Sequence, residues 1–179
     1  MRLWDLETGV TLRIYQGYSA GLWSVARHGE TLYTAANDAT VRRWSLATPG
    51  QWVWDLPGEP SSVAVHPAGD FVSVGFANGT LRLYALPNTG GLLAEVEDVH
   101  EVDVQRLAFG PDANLLASAG FDNTAKLWQI ERTPAGPALT LVRTFESHRR
   151  AVHAVTFSPD GHTLATVGYD GQVGLFDVM

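Results

Sequence analysis

The chain has 179 residues, of which 45% are apolar, so it suits one globular domain and is too hydrophobic for an intrinsically disordered chain. Its formal net charge of −7, from 19 acidic and 12 basic residues, opposes a function built on binding the phosphates of nucleic acids. It has no cysteine, which excludes disulfides and favours a reducing, cytoplasmic setting, and no apolar run reaches the roughly 18 residues of a membrane span.

The first segment, residues 1–6, contains a Leu-Trp-Asp motif that returns in altered form four times along the chain. Each copy carries one aromatic residue that serves as its anchor. These anchors are Trp4, Trp44, Tyr84, Trp128 and Phe176. They lie 40, 40, 44 and 48 residues apart, and a period of this length predicts tandem structural repeats.

Each period contains the same succession of short strands and turns. An Asp or Asn stands six residues before each later anchor, where its side chain can accept backbone N–H groups in a tight turn. Apolar strands are predicted before these turns at 31–36, 71–76, 115–120 and 163–168. Outer strands are predicted after the anchors at 12–15, 52–55, 92–95 and 140–143. A further strand and hairpin complete the period, and alternating acidic and Val residues predict a strand over 95–104.

Four antiparallel strands in each period of ~40–45 residues resemble a blade of the WD40-repeat β-propellers. The resemblance covers essentially the whole chain and rests on the Trp4-Asp5 and Phe176-Asp177 endings, the Ser158-Pro159-Asp160-Gly161 hairpin and the recurring turn Asp. It implies an all-β, WD40-type β-propeller with four repeats of four antiparallel strands, as a partial ring or half of an oligomeric ring. The expected division is one domain over 1–179, with 1–9 ending a preceding blade and repeats at 10–47, 48–87, 88–131 and 132–179.

The ring can be completed in three ways, because propellers of this family usually close with seven blades. The chain is the C-terminal half of a larger propeller, or two copies form a homodimer with an eight-bladed ring. In the third alternative four blades close on themselves, and residues 11–16 supply the outer strand of the last blade.

Blades of this family typically contain a hydrogen-bonded chain of His, Ser or Thr, the turn Asp and the Trp. The resemblance implies this chain in full for the third repeat, without the indole of the fourth, where Phe176 stands, and with Tyr18 in place of His in the first. The second repeat is degenerate, with Glu59, Val74, Asn78 and Tyr84 at these places. The structural network is therefore expected at Thr34, Asp38, Trp44, His100, Ser118, Asp122, Trp128, His148, Thr166 and Asp170.

No pattern of catalytic, metal-ligating or cofactor-binding residues stands out, so the chain is predicted to be no enzyme and to need no cofactor. The recurring Asp residues are interpreted as turn residues, since they follow the repeat period. His66 and His162 are interpreted as solvated residues of hairpin loops. The pairs Arg42-Arg43 and Arg149-Arg150 are interpreted as solvated surface charges.

A protein partner is the expected ligand, with neither nucleic acid nor membrane. In this family partners usually dock on the face formed by two sets of loops near the central channel, and aromatic anchors inside a polar rim are typical of interaction hot spots. Candidate partner-binding residues on that face are Trp23, Asn37, Asp103, Gln105, Phe121, His153 and Tyr169. The predicted function is a non-catalytic interaction scaffold, freestanding or as the regulatory or sensor part of a larger protein. The alternatives are small-ligand or peptide binding in the channel, and a propeller enzyme using Asp103 and His153.

Overall fold

The structure is a computed structural model that describes residues 1–86 and 91–178. In these two ranges it contains 17 β-strands and no helix, so the predicted all-β class is confirmed. The predicted boundary between the second and third repeats, at 87/88, lies outside the described residues, as does residue 179.

The strands form five antiparallel sheets in chain order. The first sheet has two strands, β1 (Arg2–Trp4) and β2 (Thr11–Ile14). Three four-stranded sheets follow: β3 (Leu22–His28), β4 (Thr31–Ala36), β5 (Thr40–Ser45) and β6 (Gln51–Asp55); β7 (Pro60–Val65), β8 (Phe71–Phe76), β9 (Leu81–Ala85) and β10 (Leu92–Val96); β11 (Val104–Phe109), β12 (Leu115–Gly120), β13 (Ala125–Thr133) and β14 (Gly136–Phe145). The last sheet comprises β15 (Val152–Phe157), β16 (Thr163–Gly168) and β17 (Val173–Asp177).

The four-stranded sheets are meanders in which each strand pairs with the next strand along the chain. In the third of them, for example, Ser118 of β12 lies opposite Leu107 of β11 on one side and Lys126 of β13 on the other. The two central strands of each sheet are short and rich in Val, Ala, Thr and Leu, which suits a pleated surface covered on both faces. These sheets are propeller blades, and we refer to them below as the first, second and third blades and to β15–β17 as the last blade.

The hydrophobic core lies between adjacent blades. Tyr33 and Val41 of the first blade pack on Val74 of the second, and Leu81 of the second packs with Leu107 of the third. A further cluster joins the third blade to the last, with Leu127 packed near Leu164. Since each blade has apolar side chains on both faces, it is stable only when a neighbour covers it.

The innermost strands β3, β7, β11 and β15 contact one another in succession and form the hub. The Ser62 hydroxyl of β7 accepts the Leu107 N–H of β11 at 3.0 Å. Across two blades, the Arg106 guanidinium of β11 donates to the Ser24 hydroxyl of β3 at 3.3 Å. The blades are therefore arranged radially around a shared axis, as in the predicted propeller. Among the described residues the sheet of β1 and β2 does not pack against β15–β17 to any substantial extent, so the ring is not closed.

The structure contradicts the alternative in which four blades close on themselves. Residues 11–14 form β2, which pairs with β1 and not with the last blade, so the last blade has three strands. The outward face of the last blade is apolar and open, with Val173 67% and Leu175 70% exposed.

Two sequence predictions of strands were wrong in extent. The alternation over 95–104 forms strand only at its ends, because β10 stops at Val96 and residues 97–103 make a loop that reaches the turn of the third blade. The outer strand predicted at 140–143 runs from Gly136 to Phe145 and extends a long hairpin with β13.

Candidate functional site

The third blade contains a continuous hydrogen-bonded chain of four side chains. The indole N–H of Trp128 donates to the Ser118 hydroxyl at 3.0 Å, and Ser118 lies 2.8 Å from Nε2 of His100. Nδ1 of His100 is 3.0 Å from both carboxylate oxygens of Asp122. A carboxylate only accepts and an indole N–H only donates, so a neutral imidazole protonated on Nδ1 satisfies every member of this chain.

This chain also orders the turn that follows β12. Burial by itself would raise the pKa of Asp122, but hydrogen bonds from His100 and Thr124 outweigh it and hold the pKa well below its ordinary value. The same carboxylate accepts the backbone N–H of Glu101 at 3.2 Å and that of Thr124 at 3.1 Å. Asp122 therefore ties the loop before β11 to the turn between β12 and β13.

The last blade repeats the arrangement without its aromatic donor. Nε2 of His148 lies 2.7 Å from the Thr166 hydroxyl, and Nδ1 lies 3.1 Å from Asp170. The backbone N–H of Arg149 lowers the pKa of Asp170 to about 2, against an opposing effect of burial and with further help from His148. Phe176 has no donor and instead packs against Phe145, with ring centroids 4.5 Å apart.

The first blade reaches a similar geometry with different groups. The Tyr18 hydroxyl lies 2.7 Å from the Thr34 hydroxyl, which also accepts the indole N–H of Trp44 at 3.1 Å. The charge partner of Asp38 is Arg42, whose guanidinium donates at 3.0 Å and lies 4.5 Å from the Tyr18 ring centroid. The interpretation of Arg42 as a solvated charge was therefore wrong, because this residue is only 7% exposed. The substitution of Tyr for His was the sequence signal for a compensating cation.

The second blade replaces the polar chain by apolar packing. Val74 and Phe76 of β8 are fully buried and pack with Tyr84 in the core shared with the first blade. Glu59, at the place of the histidine, is exposed. Only the turn is retained, in which the Asn78 side chain accepts the Thr80 N–H at 3.2 Å.

His66 is another residue that the sequence placed wrongly. It was interpreted as a solvated loop residue, yet it is 1% exposed and stacks on Phe71 with centroids 4.2 Å apart. Its Nε2 lies 3.0 Å from the Ala113 carbonyl, so it links the hairpins of the second and third blades. Its Nδ1 is 2.6 Å from Asp70, which also pairs with Arg132 at 2.7 Å.

Five of the seven candidate partner-binding residues form one contact chain on the loop face of the third and last blades. Gln105 donates to the Asp103 carboxylate and approaches Nδ1 of His153 at 3.4 Å. The His153 ring lies 5.1 Å from that of Tyr169, which lies 6.4 Å from Phe121. Phe121 and Tyr169 are 48% and 56% exposed, so the aromatic part of this chain is open to solvent.

The other two candidates lie on the first blade, apart from this chain. Trp23 is 60% exposed, and Asn37 is exposed in the turn between β4 and β5. Trp23 lines a separate cleft with Met1, Leu22, Val25 and Arg106. Within the described ranges, neither Trp23 nor Asn37 has a hydrogen bond or ring contact with the five residues of the contact chain.

A cleft between the third and last blades adds residues that sequence reasoning did not assign to the face. It is lined by Phe121, Asn123, Arg149, Arg150, Ala151 and Tyr169. Two of these are the arginines that the sequence analysis interpreted as solvated charges, and both are indeed exposed. They lie beside two candidate aromatic residues because the third and last blades pack side by side, an arrangement that the sequence alone did not predict.

The residues that the structure describes contain no grouping of three or more His, Cys, Asp or Glu side chains able to hold a metal ion. In those same ranges no helix has the length and apolarity that crossing a membrane would require.

Repeated four-stranded antiparallel sheets that pack face to face around a hub define a repeat protein of the β-propeller class. The family described as WD domain, G-beta repeat matches residues 9–45, 93–129 and 139–177, which is well over half of the chain. The chain therefore belongs to the WD40 repeat family, and the resemblance seen in the sequence is confirmed. The matched ranges leave out residues 46–92, which contain the degenerate repeat.

The chain is also similar in sequence to several curated proteins. The chain is 37% identical over 158 residues to the target of rapamycin complex subunit wat1 of Schizosaccharomyces pombe, covering 85% of this chain and 50% of that protein. It is 31% identical over 137 residues to pre-mRNA-processing factor 19 homolog 2 of Arabidopsis thaliana, covering 72% of this chain and 26% of the relative. It is 29% identical over 176 residues to human transducin beta-like protein 3, covering 85% and 20% respectively. The chain thus spans half or less of these relatives.

Proposed function

We propose that this chain is a non-catalytic scaffold that binds a protein partner through the loop face of its third and last blades. The observation that carries the proposal is the contact chain that runs from the half-buried Asp103 and Gln105 through His153 to the exposed rings of Tyr169 and Phe121. Rigid aromatic anchors beside polar groups provide most of the binding energy at many protein interfaces. One relative is by its name a complex subunit, which agrees with such a role.

The proposal of no catalysis rests on how the acidic residues are used. The turn carboxylates Asp122 and Asp170 accept hydrogen bonds from histidine and from backbone N–H groups, so both serve to hold the turns and loops in place. The alternative enzyme would need Asp103 and His153 as an acid and base pair, but Gln105 stands between them. We propose a cytoplasmic location, on the composition alone.

The outward apolar faces at the two ends of the blade series also need a cover in the assembled protein. We propose that further blades complete the ring; an eight-bladed homodimer would in addition require β2 of each copy to leave β1 and become the fourth strand of the partner's last blade. Sedimentation equilibrium tests this form directly. A mass of 19.4 kDa at micromolar concentration excludes the homodimer, and twice that mass supports it.

The scaffold function is tested by affinity capture from a cell extract with the full chain and two matched variants. The face variant is Phe121→Ser with Tyr169→Ser. The control is Trp52→Ser, which removes a similarly exposed aromatic from the outer strand β6. We expect the face variant to lose most captured protein and the control to retain it, as quantified by mass spectrometry. Equal capture by the face variant and the wild type would refute the assignment of this face.

A further inference from the structure

The cleft between the third and last blades differs from three other clefts of the described residues in that the guanidinium groups of its arginines lack partners. In those clefts Arg13 donates to the Ser45 carbonyl, and Arg106 donates to the Ser24 hydroxyl. Arg82, in a third cleft, pairs with Glu95 at 2.7 Å. The guanidinium groups of Arg149 and Arg150, by contrast, have no hydrogen bond or ion pair with any described residue.

The carboxylates in the loops and turn around the cleft do not neutralise these two cations. Asp170 accepts the backbone N–H of Arg149 at 2.9 Å and the His148 ring at 3.1 Å, and its side chain is only 7% exposed. Glu146, in the loop that carries the arginines, is exposed and forms no ion pair with them. Glu101, in the corresponding loop of the third blade, is likewise exposed and unpaired with them. The exposed charged groups that line the cleft are therefore both positive, on a chain whose net charge is −7.

The apolar part of the cleft is formed by two rings that stand at an angle. Phe121 and Tyr169 have centroids 6.4 Å apart and planes inclined by 54°, and about half of each side chain is exposed. The backbone of both loops is held in place, since Tyr169 N–H donates to the Ala151 carbonyl at 2.9 Å and Phe121 N–H donates to that of Asp103 at 3.0 Å. A site held in this way loses little conformational entropy on binding.

We propose that this cleft binds a linear, acidic peptide segment of the partner, in which an aromatic or aliphatic side chain is flanked by carboxylates. The apolar side chain packs into the angle between Phe121 and Tyr169, and the carboxylates accept hydrogen bonds from Arg149 and Arg150. Charge complementarity supports the carboxylates, because an arginine fork pairs well with a carboxylate. The overall negative charge of the chain disfavours a nucleic acid at this place. This inference rests on the proposed scaffold function and specifies the chemistry of its partner.

The test uses fluorescein-labelled heptapeptides and fluorescence anisotropy with the full chain at low salt. The acidic probe has a central phenylalanine flanked on each side by two glutamates. One comparison peptide has glutamines in place of the glutamates, and another has glycine in place of the phenylalanine. We expect the acidic probe to bind at least about tenfold more tightly than the glutamine peptide, equivalent to about 1.4 kcal/mol. The glycine peptide should lose about fivefold or more.

Variants then assign the binding to the cleft. Arg149→Gln with Arg150→Gln should weaken the acidic probe about tenfold and abolish the preference over the glutamine peptide. The charge-matched control, Arg2→Gln with Arg27→Gln, removes two exposed arginines from β1 and β3 and should change the affinity less than twofold. Raising the salt concentration should weaken the wild type and leave the cleft variant nearly unaffected.

Three results would overturn the inference. They are equal binding of the acidic and glutamine peptides, equal loss in the cleft and control variants, and equally tight binding of a labelled single-stranded oligonucleotide. The last result would assign the cleft to polyanions in general. The scaffold function is judged separately with the partner captured through Phe121 and Tyr169. If that partner binds the Arg149→Gln, Arg150→Gln variant unchanged, the face remains an interaction surface and only the acidic peptide is refuted.

Discussion

In the third blade the space behind the turn holds the imidazole of His100, whereas in the second blade the phenyl ring of Phe76 fills the corresponding space. The residue of the third blade that matches Phe76 is Gly120, and a Cβ there would lie 2.1 Å from Nδ1 of His100. Gly168 makes the same room for His148 in the last blade. Glycine at this place accompanies histidine in the third and last blades, and a large apolar residue takes the place in the second blade, where the histidine is absent.

The comparison teaches that the blade exchanges its interior polar groups as a set. A buried chain of hydrogen bonds stabilises only when every member has a partner, since an unpaired buried polar group is costly. In the second blade serine is replaced by Val74, the indole by Tyr84 and the histidine by Glu59, and what remains is an apolar core. The family model matches the three repeats that contain a polar chain, and its matched ranges leave out the second repeat, which has the apolar interior.

The largest expected effect on stability comes from exchanging the interior residues of the two blades, so that the third blade receives valine and the second receives serine. Ser118→Val leaves the buried Trp128 N–H and His100 Nε2 without a partner, and should lower the free energy of unfolding by about 2–4 kcal/mol. Val74→Ser places a hydroxyl in the apolar core of the second blade and should cost about 1–3 kcal/mol. Urea unfolding measures both. If Val74→Ser proves neutral, the second blade still accommodates a polar interior and the contrast fails.

A slightly smaller effect is expected where the second blade meets the third. Gly79 has a φ of +81°, and a Cβ there would clash with the backbone carbonyl of His100. Gly79→Ala should therefore destabilise the chain by about 2–3 kcal/mol, from strain and displacement of the His100 loop. Gly171 occupies the same turn position in the last blade, with a φ of +77° and open space around it. Gly171→Ala is thus the matched control and should cost only about 1 kcal/mol.

An effect of intermediate size is expected on the pH dependence of stability. The folded-state pKa of Asp122 lies below the unfolded value of about 3.9, so its contribution is fully present above that pH and is lost as the pH falls through the folded pKa. Asp122→Asn should be less stable than the wild type at pH 7, and the difference should shrink as the pH falls from about 5 towards 2. Glu146→Gln, at an exposed carboxylate, is the control. A constant difference over this range would mean that the carboxylate charge plays no part.

The smallest effect has the opposite sign and concerns the first blade. Ala39 has a φ of +61°, at the turn position that glycine occupies in the second and last blades. Ala39→Gly should stabilise the chain by about 0.5–1 kcal/mol, because alanine is strained in this conformation. Ala68→Gly, at an exposed hairpin residue without positive φ, should instead destabilise by a few tenths of a kcal/mol. Thermal unfolding of both variants resolves the sign.

The periodic features were predictable from the sequence because each has a local cause. The four apolar strands expected before the turns coincide with β4, β8, β12 and β16, since each lies between a hairpin and an Asx turn. The aromatic anchors and turn residues likewise follow from spacing alone. These features gave the all-β class and the radial arrangement of blades.

The remaining errors concern contacts between distant parts of the chain. His66 is buried because the third blade covers its hairpin, and Arg42 is buried because Tyr18 and Asp38 enclose its guanidinium. The outer strand expected at 140–143 begins already at Gly136, because the hairpin continues with Pro137 paired to Arg132. The cleft at Arg149 could not be foreseen either, since it forms only when two blades stand side by side.

The boundaries of the sequence repeats do not coincide with those of the sheets, and this offset affects how repeats can be added to such a chain. The matched range 9–45 begins with β2, which completes one sheet, and ends with β5, which lies in the next. Each sequence repeat therefore contributes the outer strand of the preceding sheet, and its own sheet is completed by the first strand of the following repeat. Duplication of a whole repeat in the gene therefore adds a blade that shares a sheet with each neighbouring repeat, and no separate linker is needed to connect them.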